Sequence, residues 1–150
     1  MEKRESCRAI IFKDNKMVVM YREKKDRVYY IFPGGGINEG ETKKDCVVRE
    51  VVEEFGINVE PMKEVYFYEN EKTIEHFFTC DWVSGELGTG EGEEFQGDVS
   101  RGVYVPMLVD IDRLSEIPLM PPEVAAVLVD DLKKYGEKLG DKVTEIAGEL

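Results

Sequence analysis

The chain has 150 residues and a net charge of −12, with 42% hydrophobic and 35% charged residues. That length suits one domain with its own core, and the acidity excludes nucleic acid and anionic membrane as expected partners, since both repel it at long range. A small anionic substrate needs cations over its site, so the charge favours a metal-dependent enzyme over a bare phosphate binder.

The opening stretch MEKRESCRAI carries no apolar signal segment, and the longest apolar run, VAAVLV at 124–129, is far short of a membrane span. Cys7, Cys46 and Cys80 are scattered and lack a CxxC, which reads as reduced thiols in a cytoplasmic chain. Residues 8–12 (RAIIF), 17–21 (MVVMY) and 28–32 (VYYIF) are short β-rich runs separated by the turn signals KDNK and EKKDR. The stretch PGGGINEGE, 33–41, reads as a glycine-rich loop that ends strand structure. A helix follows, with Thr42 and Asp45 as a capping box and Gly56 at its stop. Val48, Val52 and Phe55 are expected to pack on the core side of it.

Strands are expected again at 62–68 and 73–82, then a glycine-rich acidic loop at 84–98 and a last strand near 103–108. LMPPEVAAVLVDDLKKY reads as a helix opened by proline. Val124, Leu128, Leu132, Tyr135, Leu139, Val143, Ile146 and Leu150 keep helical phase. A C-terminal helical segment is therefore expected over about 121–150, bent at Gly136 or Gly140, each costing about 1 kcal/mol in a helix interior. Its last residues either fray after Tyr135 or dock on the same domain or on a second subunit, and both a monomer and a homodimer fit. Strands outnumber helices, so the expected fold is α+β, an α/β/α sandwich with a mixed sheet flanked by helices, in a single domain over 1–150.

Residues 49–57, REVVEEFGI, crowd Glu50, Glu53 and Glu54 onto one helical face. At about 100° per residue the three carboxylates fall within an arc of roughly 100°, where like charges repel and meet the negative end of the helix dipole. A solvated acidic face does not account for the adjoining glycine loop and Arg49; a hard divalent cation, which takes oxygen ligands, does.

Gly35, five residues, Glu41, seven residues and REVVEEFGI together form one pattern over 35–57 that resembles the Nudix box, GX5EX7REUXEEXGU with U aliphatic, at every defined position. The likeness extends over 1–120 through the strand order and YVPM. It implies Mg²⁺-dependent (or Mn²⁺-dependent) hydrolysis of a pyrophosphate bond in a nucleoside diphosphate linked to another group. It also implies Glu50, Glu53 and Glu54 as metal ligands, with water activation by Glu53 and Glu54, and the Gly34 carbonyl as a further ligand. Arg49 is then a brace that pairs with Glu41 and Glu53. A carboxylate outside the box often completes such a site; Glu91, Glu93 and Glu94 are candidates, and spacing before YVPM favours Glu94. Asn38 departs from the family, where an acidic residue is common.

The substrate expected is a small-molecule nucleotide, first a nucleoside triphosphate, including oxidised forms. The alternative is ADP-ribose, a nucleotide sugar or a dinucleotide. A rival of another class is a non-catalytic nucleotide-binding domain of the same fold. His76 alternates with Phe78, Cys80 and Trp82 and reads as a partly buried strand histidine, while Tyr66, Phe67 and Tyr68 read first as core and second as a base-stacking ring.

Overall fold

The computed structural model describes residues 2–88 and 102–149. Strand β1 (Arg4–Lys13) shows how the sheet divides the core: Cys7, Ala9 and Ile11 enter one apolar cluster, while Ile10 enters the other. β2 (Lys16–Lys24) does the same, with Val18 and Met20 on the first side and Met17 and Val19 on the second. Side chains of period two are thus split between two hydrophobic layers. The KDNK turn between these strands places Asp14 and Asn15 at φ 52° and 63°, the left-handed region that a tight hairpin demands and that these residues tolerate.

The remaining strands are β3 (Arg27–Ile31), β4 (Gly34–Gly36), β5 (Ile57–Glu69), β6 (Thr73–Gly85), β7 (Val103–Asp110), β8 (Leu119–Met120) and β9 (Thr144–Ala147). They join into a mixed sheet of order β8-β3-β2-β1-β6-β5-β9, with β4 on β1 and β7 on β2. β1 lies parallel to β6 and antiparallel to β4 and β2. Helix α1 (Lys43–Phe55) covers one apolar cluster and α2 (Pro122–Tyr135) the other, the expected layering of a mixed sheet between helices.

Three expectations are corrected. Gly34–Gly36 is a strand, not a loop, with Gly36, Gly35 and Gly34 opposite Ser6, Cys7 and Arg8; glycine lowers strand propensity, but β1 supplies the ladder. The packed face of α1 is Cys46, Val47, Val51 and Phe55 rather than Val48, Val52 and Phe55, and Val52 is 39% exposed. The helical segment does not run to residue 150: α2 ends at Tyr135, and residues 144–147 pair as β9 with Tyr66–Glu69 of β5. Leu139 and Ile146 of the apolar stripe are nonetheless buried in the cluster under α2. A step of three or four in a short segment does not separate a helix from a turn followed by a strand.

α1 starts and stops as its sequence dictates. The Thr42 hydroxyl accepts a hydrogen bond from the Asp45 amide at 3.1 Å, and Gly56, at φ 76°, donates its amide to the Val52 carbonyl.

Candidate active site

Strand β4 and helix α1 meet edge to face, and burial of the three glutamates is graded across the junction. Glu54 lies in the packed face and is 9% exposed, the Glu50 side chain is 16% exposed, and the Glu53 side chain is 51% exposed. At about 100° per residue, Glu54 follows Val47 and Val51 on the buried side while Glu53 falls on the solvent edge. The carboxylates therefore adjoin the core instead of opposing it.

Two glycines make the junction possible. Gly34 has φ 141°, and a Cβ there would lie 2.0 Å from the Cys7 carbonyl oxygen. A Cβ on Gly35 would lie 2.6 Å from both Glu50 carboxylate oxygens, so the bare backbone of Gly35 is the surface on which Glu50 rests. The Gly34 amide donates to Glu54 Oε1 at 2.9 Å, a charge-assisted bond that fixes this carboxylate.

Arg49 ties the parts together. Its Nε donates to Glu41 Oε2 at 2.7 Å and its Nη2 to Glu41 Oε1 at 3.0 Å and to the Gly36 carbonyl at 3.0 Å. Its Nη1 reaches Glu50 Oε1 at 2.9 Å and Glu53 Oε2 at 3.4 Å. Hydrogen bonds from Arg49 and from the Asn38 amide hold the Glu41 carboxyl down at about 2. Glu50 moves the other way: burial raises its pKa, and the Arg49 pairing only partly offsets this. The expected Arg49–Glu41 and Arg49–Glu53 pairs are both present, and the Glu50 pair is an addition. Asn38 takes part through its amide, which donates to Glu41 Oε1 at 3.0 Å.

Among the described residues no group of three His, Cys, Asp or Glu side chains is arranged to hold a metal ion: Glu50 leans on Arg49, Glu54 on the Gly34 amide, and Glu53 is turned outward. The donor set nevertheless fits a hard divalent cation, since three carboxylates and the Gly34 carbonyl are all oxygen donors at one strand–helix junction. The Gly34 carbonyl here accepts from Arg8 Nη1 at 3.2 Å, as does the Phe32 carbonyl at 3.2 Å. Glu91, Glu93 and Glu94 lie outside the described residues.

Arg8 was not singled out in the sequence. The signal is there: in RAIIF it falls on the same side of β1 as Ile10, a cation on an apolar face. Its Nε pairs with Glu75 Oε1 at 2.8 Å, and both residues line a cavity of about 580 Å³ together with Tyr29, Phe32, Tyr68 and Phe77. The cavity abuts the box through Phe32 and Arg8, and its size and mixed polar and aromatic lining are those of a small-molecule site. Of the tyrosines on β5, Tyr66 is core, with its hydroxyl bound to Asp131 Oδ2 at 2.8 Å, whereas Tyr68 lines the cavity. His76 is buried and structural: Nε2 lies 2.6 Å from Glu5 Oε2 and Nδ1 3.0 Å from Glu64 Oε2, joining β1, β6 and β5. All three cysteines are free and buried. Among the described residues no helix is long and apolar enough to cross a membrane.

Comparison with known proteins agrees with this geometry. The model of the NUDIX domain family matches residues 2–108. An ADP-ribose pyrophosphatase of Methanocaldococcus jannaschii is 34% identical over 89 residues, which covers 55% of this chain and 53% of that protein. The chain thus spans about half the length of this curated relative. Among solved structures, a NUDIX hydrolase from Nitrosomonas europaea superposes with a TM-score of 0.71 at 17% identity, covering 89% of this chain and 90% of the other. An ADP-ribose pyrophosphatase from Streptococcus suis does so with a TM-score of 0.62 at 21% identity, covering 97% and 99%. With its complete box on β4 and α1, the chain belongs to the NUDIX domain family.

Proposed function

We propose that the protein hydrolyses a pyrophosphate bond in a nucleoside diphosphate linked to a further group, with a divalent cation, Mg²⁺ or Mn²⁺, held by Glu50, Glu53, Glu54 and the Gly34 carbonyl. The observation that carries this reading is the graded row of three glutamates on α1, seated against the bare backbone of Gly35 and braced by Arg49. A divalent cation held by these residues would lower the pKa of a bound water and neutralise charge on the phosphoryl oxygens. The protein's own groups do the rest. Glu54, fixed by the Gly34 amide, and Glu50, resting on Gly35, give a rigid ligand pair. Glu53, exposed at the solvent edge, would take the proton of the attacking water. Arg49 and Glu41 hold β4 against α1, and Glu94 is the candidate to complete the ligand set.

Nucleoside triphosphates stand first as substrate, and among the described residues the cavity beside the box is of a size for one nucleoside. The name of the Methanocaldococcus jannaschii relative supports ADP-ribose as a second reading. The test is release of a nucleoside monophosphate, with pyrophosphate or a sugar phosphate as its co-product, from a panel of nucleoside triphosphates, oxidised triphosphates, ADP-ribose and nucleotide sugars, with Mg²⁺ and with EDTA. Mg²⁺-dependent release from a panel member supports the proposal. No release from any of them sinks it and leaves a non-catalytic nucleotide-binding domain.

A further inference from the structure

The family match ends at residue 108, yet the last described residues of the chain reach the cavity beside the box. β9 runs parallel to Tyr66–Glu69, and beyond it the Gly148 amide donates to the Glu69 carbonyl at 2.9 Å. The strap then passes directly over Tyr68, where a Cβ on Gly148 would lie 2.0 Å from the tyrosine hydroxyl oxygen. Only glycine lets the backbone come that close. One residue later the Glu149 amide donates to Glu123 Oε2 at 2.8 Å. Tyr68, Glu123 and Glu149 all line the cavity.

Glu123 sits in the first turn of α2, preceded by Pro121 and Pro122. Without the strap its carboxylate would be a solvated side chain with several rotamers. With the strap one oxygen is anchored, and a carboxylate retains further lone pairs for a ligand. The cavity is thereby polarised. Arg8, bonded to the Gly34 carbonyl, stands at the end next to the box, and the carboxylates of Glu123 and Glu149 stand on the α2 and strap wall. A phosphate is repelled beside the two glutamates, whereas at the other end Arg8 shares its charge with Glu75 at 2.8 Å. A neutral heterocycle with N–H donors meets the partly exposed Tyr29 ring and an acceptor at Glu123, while Phe32 and Phe77 are buried in the core.

We propose that the C-terminal strap, residues 144–149, is a specificity element of the substrate site: it fixes Glu123 as the hydrogen-bond acceptor for a nucleobase that presents N–H donors, and so sets substrate affinity without entering the hydrolysis. This rests on the reading above that the cavity takes the nucleoside end of the substrate. Glu123 touches the base; Gly148 and Glu149 act through it as positioning residues.

The probes are AMP and GMP, bound to the wild-type chain in EDTA and followed by calorimetry, alongside KM and kcat for the best substrate in Mg²⁺. Glu123→Gln keeps a polar side chain of the same size and removes the charge. It is expected to weaken nucleotide binding and raise KM by about tenfold, the size of one hydrogen bond to a charged group, with kcat within about twofold and the melting temperature unchanged. Gly148→Ala, which displaces the strap from Tyr68, is expected to raise KM in the same direction; if that chain does not fold, Glu123→Gln decides alone. An unchanged Kd and KM in Glu123→Gln overturns the proposal, as does a wild-type chain that binds neither nucleotide. Binding in EDTA without hydrolysis of any panel member would instead remove the hydrolase reading and leave this one standing.

Discussion

Arg49 grips Glu41 with two parallel hydrogen bonds, Nε to Oε2 at 2.7 Å and Nη2 to Oε1 at 3.0 Å, across the loop that joins β4 to α1. The side-on geometry is the strong form of the arginine–carboxylate pair. Because the same guanidinium also reaches the Gly36 carbonyl and Glu50, its loss loosens the loop and the row of glutamates together. Arg49→Ala is expected to lower Mg²⁺-dependent turnover by about 10- to 100-fold, as for other residues that orient metal ligands, and to lower the melting temperature. Full activity at an unchanged melting temperature would show that the brace is idle.

The same pair gives stability a pH dependence. The Glu41 carboxyl titrates at about 2 in the fold instead of its ordinary 4.5. Its contribution is therefore complete above pH 4.5 and is lost as the pH falls towards 2. Melting temperatures of wild type and Glu41→Gln are expected to differ most at neutral pH and to converge near pH 2. A gap that stays constant down to pH 2 would contradict the pairing.

Glu53 and Glu54 should separate in their effect on folding. Both Glu→Gln changes are expected to abolish metal-dependent hydrolysis. Glu53 is exposed, so its variant should melt within about 0.5 kcal/mol of wild type. Glu54→Gln keeps an oxygen to accept from the Gly34 amide, whereas Glu54→Ala leaves that buried donor unpaired at a cost of about 1–3 kcal/mol. Denaturant unfolding of the three variants with Mg²⁺ assays measures both halves. Wild-type turnover in Glu53→Gln and Glu54→Gln would remove the metal site.

How much of this was legible beforehand depends on what each residue answers to. Thr42, Gly56 and the spacing of the glutamates are local, and the helix formed where they said. The facing of α1 was not, because Val48 and Val52 suit a core as well as Val47 and Val51 do. What chose between them was the sheet, whose Cys7, Ala9, Ile11 and Phe78 share a cluster with Val47 and Val51, and β4, a strand that three glycines gave no sign of forming, exists because β1 offers it a ladder. The cavity was illegible for the same reason. It is assembled from β1, β3, the turn end of the β5–β6 hairpin, α2 and the strap, which no spacing in one segment can reveal. Of the C-terminal stripe, Val124, Leu128, Leu139 and Ile146 are buried while Tyr135 and Val143 are exposed, and the residues beyond Tyr135 form no continuation of the helix.

Ile146 carries a prediction of its own. It is 8% exposed and packs in the cluster under α2, so Ile146→Ala is expected to cost about 2–3 kcal/mol, at the low end for an isoleucine truncation. Guanidinium unfolding reads the cost directly, and a loss under about 0.5 kcal/mol would mean that β9 does not hold its place.

The buried thiols should be silent. Burial pushes the Cys80 thiol up to about 12, and Cys7 and Cys46 are fully enclosed. Iodoacetamide at pH 8 is expected to label none of them in the native protein and all of them after unfolding, as read by intact mass. Rapid native labelling of Cys46, which lies against the Gly35 and Gly36 carbonyls, would reveal opening at the box itself.

The parallel pairing of β1 with β6 joins Arg4 to Thr73 and Ile11 to Cys80. The whole of 35–57 lies inside the chain loop that this pairing closes. α1 can coil on its own, but β4 has no partner until β1 is in place, and β1 has no neighbour on its other side until β6 arrives. In kinetic terms the site is born no sooner than this long-range pairing, and the entropy of closing that loop grows only with the logarithm of its length. Lengthening the exposed turns at Lys24–Lys25 or Glu71–Lys72 therefore delays the appearance of the site far more than it weakens the site once made.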